Sequence, residues 1–134
     1  MTAAQPALAR VFVIEDHEIL RTLIVELMEC TPGFEVCGCS ANAEAALDGL
    51  EKAQAQLALI DVSLPGMSGI DLVRELQHRS SPVQCVMLSA HLSSTYVEDA
   101  RAAGAKAYVA KSRLNELVAV LRQVIAGKSL FPSF

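Results

Sequence analysis

The sequence predicts a single α/β domain, a parallel five-stranded sheet covered by helices on both faces. Three observations point there. Five strand-like apolar segments alternate with five segments of helical spacing. The connections between them are short and carry turn signals, with no internal linker. At 134 residues the chain suits one core rather than two.

Val11-Phe12-Val13-Ile14 opens the series as a buried strand. Leu20, Leu23, Ile24, Leu27 and Met28 then recur at helical spacing until Thr31-Pro32-Gly33 breaks the helix. Phe34 to Cys37 reads as the second strand. An alanine-rich helix follows from about Asn42, its N-cap, to Gln54, burying Ala46, Leu47 and Leu50. Leu57 to Ile60 forms the third strand, stopped by Asp61 and a Pro65-Gly66 loop. Ser68-Gly69-Ile70-Asp71 has the form of a capping box and opens a helix that turns Leu72, Val73 and Leu76 inward. Ser80-Ser81-Pro82 ends it. Val83 to Leu88 is the fourth strand. The next helix, about Ser94 to Ala103, has a thin apolar face of Tyr96, Val97, Ala100 and Ala103, with Gly104 as its C-terminal cap. Ala107 to Ala110 is the fifth strand. The last helix starts near Ser112, an N-cap candidate, and carries Leu114, Leu117, Val118, Leu121, Val124 and Ile125 up to Gly127. Right-handed crossovers favour the flavodoxin-like three-layer (βα)5 arrangement with strand order 2-1-3-4-5.

Composition narrows the function. With 52% hydrophobic residues and 19% charged, the chain is not disordered. Only 4% is aromatic and there is no tryptophan, so the core is aliphatic. Acidic residues outnumber basic ones, 15 against 11, and no Lys/Arg cluster exists, which argues against direct nucleic-acid binding. No apolar run reaches the roughly 18 residues of a membrane span, and residues 1–9 read as a loose N-terminal arm rather than a secretory signal. Cys30, Cys37, Cys39 and Cys85 lack zinc-site spacing and read as soft core residues in a reducing cytoplasm.

The polar residues worth explaining follow the strands, where α/β sheets keep their working crevice. They are Glu15-Asp16 after the first, Asp61 after the third, Ser89 after the fourth and Lys111 after the fifth. In the expected order Glu15, Asp16 and Asp61 meet. Two carboxylates about 5 Å apart at an effective dielectric near 20 repel by roughly 3 kcal/mol. A hard divalent cation such as Mg²⁺ relieves this, binding through carboxylates and keeping positions for water or phosphate oxygens. Lys111 adds a point charge suited to a phosphoryl oxygen and Ser89 a hydroxyl donor. Carboxylate nucleophile, metal, lysine and hydroxyl together describe phosphoryl transfer onto aspartate.

Four stretches carry a family resemblance: Val13-Ile14-Glu15-Asp16-His17, Leu59 to Gly69 with its D-x-x-L-P-G-M loop, Met87-Leu88-Ser89-Ala90, and Gly104 to Lys111. In that order they resemble a response-regulator receiver domain of two-component signalling, of the NarL/FixJ/LuxR-type subfamily, over residues 10–128. The resemblance implies that Asp61 is the phosphoacceptor for a histidine kinase or phosphotransfer protein. It implies that Glu15, Asp16, Asp61 and the Ser63 backbone carbonyl ligate Mg²⁺, and that Lys111 pairs with the phosphoryl group. Ser89 and Tyr108 would form a switch pair read out on the fourth helix, fifth strand and fifth helix. Such a domain is a phosphoacceptor rather than an enzyme. Many relatives have proline after the lysine, in cis; here Ser112 follows, so a trans bond is expected. Residues 129–134 read as a tail or the start of a linker to a LuxR-type DNA-binding output domain not contained in this chain. A homodimer is a further expectation, through the outer edge of the first or last helix.

Rival readings fare worse. Aspartyl-phosphate phosphatases carry a second aspartate where this chain has Ser63, so the acid/base group is missing. Helical phosphohistidine carriers do not contain five strands. A flavodoxin-like cofactor binder would meet repulsion from Glu15-Asp16. A receiver-like docking module that works without phosphorylation would not need both Asp61 and Lys111. His17 is expected on the surface at the start of the first helix, His78 near a helix C-terminus, and His91 overlooking the pocket.

Overall fold

The computed structural model describes residues 7–133, so most of the expected N-terminal arm, and Phe134, lie outside the described residues. Five strands, β1 (Ala9–Ile14), β2 (Phe34–Ser40), β3 (Leu57–Asp61), β4 (Gln84–Ser89) and β5 (Ala107–Ala110), form one parallel sheet in the order β2-β1-β3-β4-β5. Helices α1 (Glu18–Glu29), α2 (Ala43–Lys52), α3 (Gly69–His78), α4 (Ser94–Ala103) and α5 (Leu117–Ile125) alternate with them. This is the expected three-layer arrangement.

Strand side chains alternate between two aliphatic cores. Phe12, Ile14, Ala58 and Ile60 point to the layer of α2, α3 and α4, where they meet Ala46, Leu72, Val73 and Val97. Val11, Val13, Leu57 and Leu59 point to the layer of α1 and α5, against Ile24, Met28, Leu117 and Leu121. Because both faces are covered, β3 is buried along its whole length and reads as an uninterrupted apolar run.

The element ends obey local chemistry. His17, Asn42 and Ser68 cap α1, α2 and α3 by accepting hydrogen bonds from the amides of Leu20, Ala45 and Asp71. At Ser68 the Asp71 side chain turns instead to Arg74, 2.7 Å away, so only half of the expected capping box forms. Gly104, at φ +113°, ends α4 as expected.

Several sequence expectations need correction. β2 runs on to Ser40, three residues past the expected end at Cys37. The β1–β2 register slips by one residue between Val36 and Gly38, and a Cβ on Gly38 would lie 2.6 Å from the Phe12 ring. Gly38 is therefore a bulge seat for an aromatic ring. Ser112 does not cap the last helix: Lys111–Glu116 is a 3-10 segment with a kink at Arg113, and α5 begins only at Leu117. Tyr96 and Ile125 stand 42% and 50% exposed, so neither belongs to the apolar stripe of its helix. Leu23 is likewise exposed, beside Ile19 on the outer side of α1.

The segment after α5 returns to the sheet. Leu130 donates to the Lys106 carbonyl at 2.9 Å and accepts from the Tyr108 amide at 3.1 Å, a one-residue parallel bridge on the free edge of β5. Leu130 packs on the α1–α5 core and Phe131 on the opposite one, with the Arg101 guanidinium 4.5 Å from its ring centroid. Part of the residues read as a tail thus covers a sheet edge. Phe131→Ala removes a half-buried ring and its cation–π contact, so chemical denaturation should register a loss of about 1–2 kcal/mol. An unchanged midpoint would show that the Phe131 ring contributes nothing.

Candidate functional site

Asp61 is the last residue of β3, and its side chain is buried at the carboxyl edge of the sheet. One carboxylate oxygen accepts from the Ser63 amide at 3.1 Å, which folds the start of the following loop over it. The other lies 3.1 Å from the Lys111 ammonium. Lys111 follows directly on β5 and reaches across β4 and β3 to Glu15, whose oxygens stand 2.9 and 3.2 Å from Nζ. Glu15 is fully buried just past β1, with its amide tied to the Ser40 carbonyl and its own carbonyl accepting from Arg21. Asp16, next in the chain, is exposed, yet oxygens of Glu15, Asp16 and Asp61 all lie within 4.8 Å of one another. The structure thus gathers the strand-end carboxylates and the lysine expected from sequence.

The electrostatics follow from that crowding. Burial, and then the neighbouring Asp61 carboxyl, push Glu15 up to about 7. Burial works to lower the Lys111 pKa, but hydrogen bonds to Glu15 and Asp61 outweigh it and leave it raised. Lys111 is therefore charged, one ammonium bound to Glu15 and Asp61 in a cup of three carboxyl groups. A set of hard oxygen donors with surplus negative charge fits a hard divalent cation.

Ser89 and Tyr108 lie one strand further along. Ser89 Oγ donates to the His91 carbonyl at 2.8 Å and accepts from the His91 amide at 3.0 Å. Tyr108 is buried, and its hydroxyl donates to the same carbonyl at 2.9 Å. The two hydroxyls converge on one acceptor. His91 enters through its backbone while its imidazole is exposed, so the contribution of this residue was not readable from its type. The Lys111–Ser112 bond is trans, as expected. His17 caps α1 and His78 closes α3, matching their expected places. Sequence reading missed Glu44, whose carboxylate accepts from the Met67 amide in the loop after Asp61. A glutamate in a first helical turn looks like any dipole-matched residue, so nothing in the sequence marks it.

A groove of about 730 Å³ opens at the opposite end of the sheet, between the C-terminal ends of α2 and α3, and none of the clustered carboxylates lines it. No helix among the described residues is long and apolar enough to cross a membrane.

A doubly wound sheet whose carboxyl edge holds an acidic cup spanned by a lysine defines a class, and comparison with known proteins agrees. Residues 11–122 match the response regulator receiver domain, and the chain belongs to that family. Among its relatives are NarL/LuxR-family response regulators. It is 34% identical over 124 residues to the DNA-binding transcriptional activator DevR/DosR of Mycobacterium tuberculosis, covering 92% of this chain and 57% of that protein. To BvgA of Bordetella pertussis, a putative positive transcription regulator of virulence factors, it is 31% identical, covering 92% and 59%. The chain therefore spans little more than half the length of these curated relatives. Among solved structures, a LuxR-family two-component response regulator from an Aurantimonas species superposes with a TM-score of 0.88 at 29% identity, covering 92% of this chain and 89% of that one. The receiver domain of the putative regulator NarL from M. tuberculosis gives 0.87 at 26% identity, covering 92% and 100%.

Proposed function

We propose that this receiver domain accepts one phosphoryl group on Asp61, in a Mg²⁺-dependent reaction, from a phosphohistidine on a cognate histidine kinase or phosphotransfer protein. The observation that carries this reading is the Lys111 ammonium held between Asp61 and Glu15 at the edge of the sheet. An Asp61 oxygen attacks phosphorus, an O–P bond forms, and the N–P bond breaks with its electron pair left on the imidazole. Lys111 stands 3.1 Å from the nucleophile before transfer and offers its charge to a phosphoryl oxygen afterwards. Glu15, Asp16, Asp61 and the Ser63 carbonyl would hold Mg²⁺, which when bound neutralises charge on the phosphoryl oxygens.

The new charge has a built-in reader. Ser89, released from the His91 carbonyl, donates to a phosphoryl oxygen, and Tyr108 is left as the sole hydroxyl on that acceptor. The rearrangement shifts the α4–β5–α5 surface toward partners. The reach of DevR/DosR and BvgA beyond the matched region supports a role as the regulatory part of a LuxR-type transcriptional regulator, working in the cytoplasm. A homodimer through the exposed side of α1, at Ile19 and Leu23, belongs to the same reading.

The direct test is incubation with MgCl₂ and acetyl phosphate followed by intact-mass measurement. One hydroxylamine-labile phosphoryl group should appear, and none when the metal is chelated. Phosphorylation indifferent to Mg²⁺ would sink the reading.

A pH dependence follows from Glu15. Its folded pKa, about 7, lies above the ordinary 4.5, so the metal-free fold holds a proton that the unfolded chain has released. Stability should therefore fall as pH rises from about 4.5 to 7 and level off above. Mg²⁺ competes with that proton. Its apparent affinity, followed by amide shifts, should be up to about tenfold weaker at pH 6 than at pH 8. A flat profile would mean that Glu15 does not ligate.

A further inference from the structure

The loop that joins β3 to α3 supplies both the Ser63 carbonyl and the amide that holds Asp61, so its position sets the geometry of the cup. Its ends are fixed by backbone: the Val62 amide donates to the Leu88 carbonyl at 2.9 Å, and the Gly69 amide to the Val62 carbonyl at 3.0 Å. Between them the chain runs through Pro65 and Gly66, with Gly66 at φ +72°. Among the described residues, one side-chain hydrogen bond reaches residues 64–67 from outside the loop. It runs from the Met67 amide to Glu44 Oε1 in the first turn of α2, at 2.8 Å. That bond holds the Glu44 carboxyl below its ordinary range. Gly66 makes the approach possible, since a Cβ there would stand 2.7 Å from the same carboxylate oxygen.

We propose that Glu44 is a positioning residue for the phosphoacceptor site. Its carboxylate pins the crest of the β3–α3 loop, and the pinned loop keeps Ser63 and Asp61 set for a divalent cation and a phosphoryl group. This rests on the reading of Asp61 as phosphoacceptor and deepens it. Glu44 touches neither the metal nor the phosphoryl group; it acts through the loop backbone between Asp61 and Gly69. Apart from that bond the crest is held only by packing: Leu64 is buried and Met67 half-buried on the core, while Ser63, Pro65 and Gly66 are exposed. Groups hydrogen-bonded directly to metal ligands set affinity by about 10-fold to 100-fold, and a tether acting one step further out belongs at the lower end.

The test pairs Glu44→Ala with Glu44→Gln, since glutamine keeps the acceptor oxygen and loses only the charge. The first readout, in metal-free protein, is hydrogen exchange at the Met67 amide. Exchange should speed up in Glu44→Ala and stay slow in Glu44→Gln. The second is Mg²⁺ titration followed by amide shifts, with about tenfold weaker binding expected for the alanine variant and binding within about twofold of wild type for glutamine. Faster exchange with unchanged Mg²⁺ affinity would overturn the proposal by separating the tether from the site. Equal weakening in both variants would also overturn it, because charge at the α2 N-terminus would then be the cause. The exchange readout needs neither metal nor phosphodonor. A wild-type protein that ignores Mg²⁺ while Met67 still depends on Glu44 would instead locate the failure in the Asp61 reading.

Discussion

Asp61→Asn is expected to abolish phosphorylation by acetyl phosphate completely while leaving the fold at least as stable as the wild type. The substitution removes the nucleophile and its 3.1 Å ion pair with Lys111 and little else. An asparagine carbonyl can still accept from the Ser63 amide, as Asp61 does at 3.1 Å, so the loop keeps its first hydrogen bond. Lys111 keeps its bonds to Glu15 at 2.9 and 3.2 Å. The carboxylate that helps raise the Glu15 pKa disappears, so Glu15 ionises more readily and the metal-free cup carries less repulsion. Intact mass should show no adduct at any Mg²⁺ concentration, with a melting temperature equal to or above that of wild type. A hydroxylamine-labile adduct persisting in Asp61→Asn would place the acceptor elsewhere. Loss of the adduct together with a large fall in melting temperature would mean that Asp61 is structural.

The sheet was legible in the sequence because it rests on period; the strand order, and with it the convergence of the strand-end residues, was an inference from the few topologies that right-handed crossovers leave. A buried parallel strand is apolar on both faces, so β3 announces itself. Residues that follow successive strands must then meet at one edge, which is how Glu15, Asp61 and Lys111 could be assembled without coordinates. What stayed illegible depends on contacts between distant residues. Nothing in the sequence marks Gly38 as a bulge, because its role appears only when the Phe12 ring is seen to fill the place of its Cβ. Ser112 has the right type for an N-cap, yet the chain leaves Lys111 in a 3-10 segment and kinks at Arg113 before α5 begins. The Leu130 bridge on β5 depends on one residue pairing back across the whole of α5, a signal too short for any periodic pattern. At the site, the strand-end side chains were found by type and the Ser63 carbonyl through the family resemblance, whereas the contact of Glu44 with the Met67 amide and the part played by the His91 carbonyl were missed. Asp61 and Lys111 were found because they directly follow the expected strands, while the missed contacts join residues far apart in the chain.

Gly69→Ala is the other substitution with a large expected effect, and two principles disagree about its sign. Gly69 is the first residue of α3, where helix propensity alone favours alanine over glycine by about 1 kcal/mol. Packing opposes this. A Cβ at that position would lie 2.0 Å from the Asp61 carbonyl oxygen and 2.9 Å from its carbonyl carbon. Those atoms are backbone of a buried strand, so no side-chain rotation relieves the overlap. Either α3 must back away from β3 or the strand end must move, and the Gly69–Val62 hydrogen bond, 3.0 Å long, is strained in both cases. Overpacking typically costs about 1–3 kcal/mol, and contact with rigid backbone belongs at or beyond the upper end. We expect a net loss of about 3 kcal/mol, read as a melting temperature lower by roughly 10 °C. Gly33→Ala provides the contrast. Gly33 has φ +93° and nothing within 4 Å of the place a methyl group would take, so its cost is backbone strain of about 1 kcal/mol, remote from the site. Phosphorylation at a temperature where both variants are folded separates them further. Gly69→Ala displaces Asp61 against Lys111 and should slow phosphate uptake, whereas Gly33→Ala should match wild type. If Gly69→Ala melts with the wild type, propensity outweighs packing here and the close seat of α3 on the Asp61 carbonyl does not hold the acceptor in place.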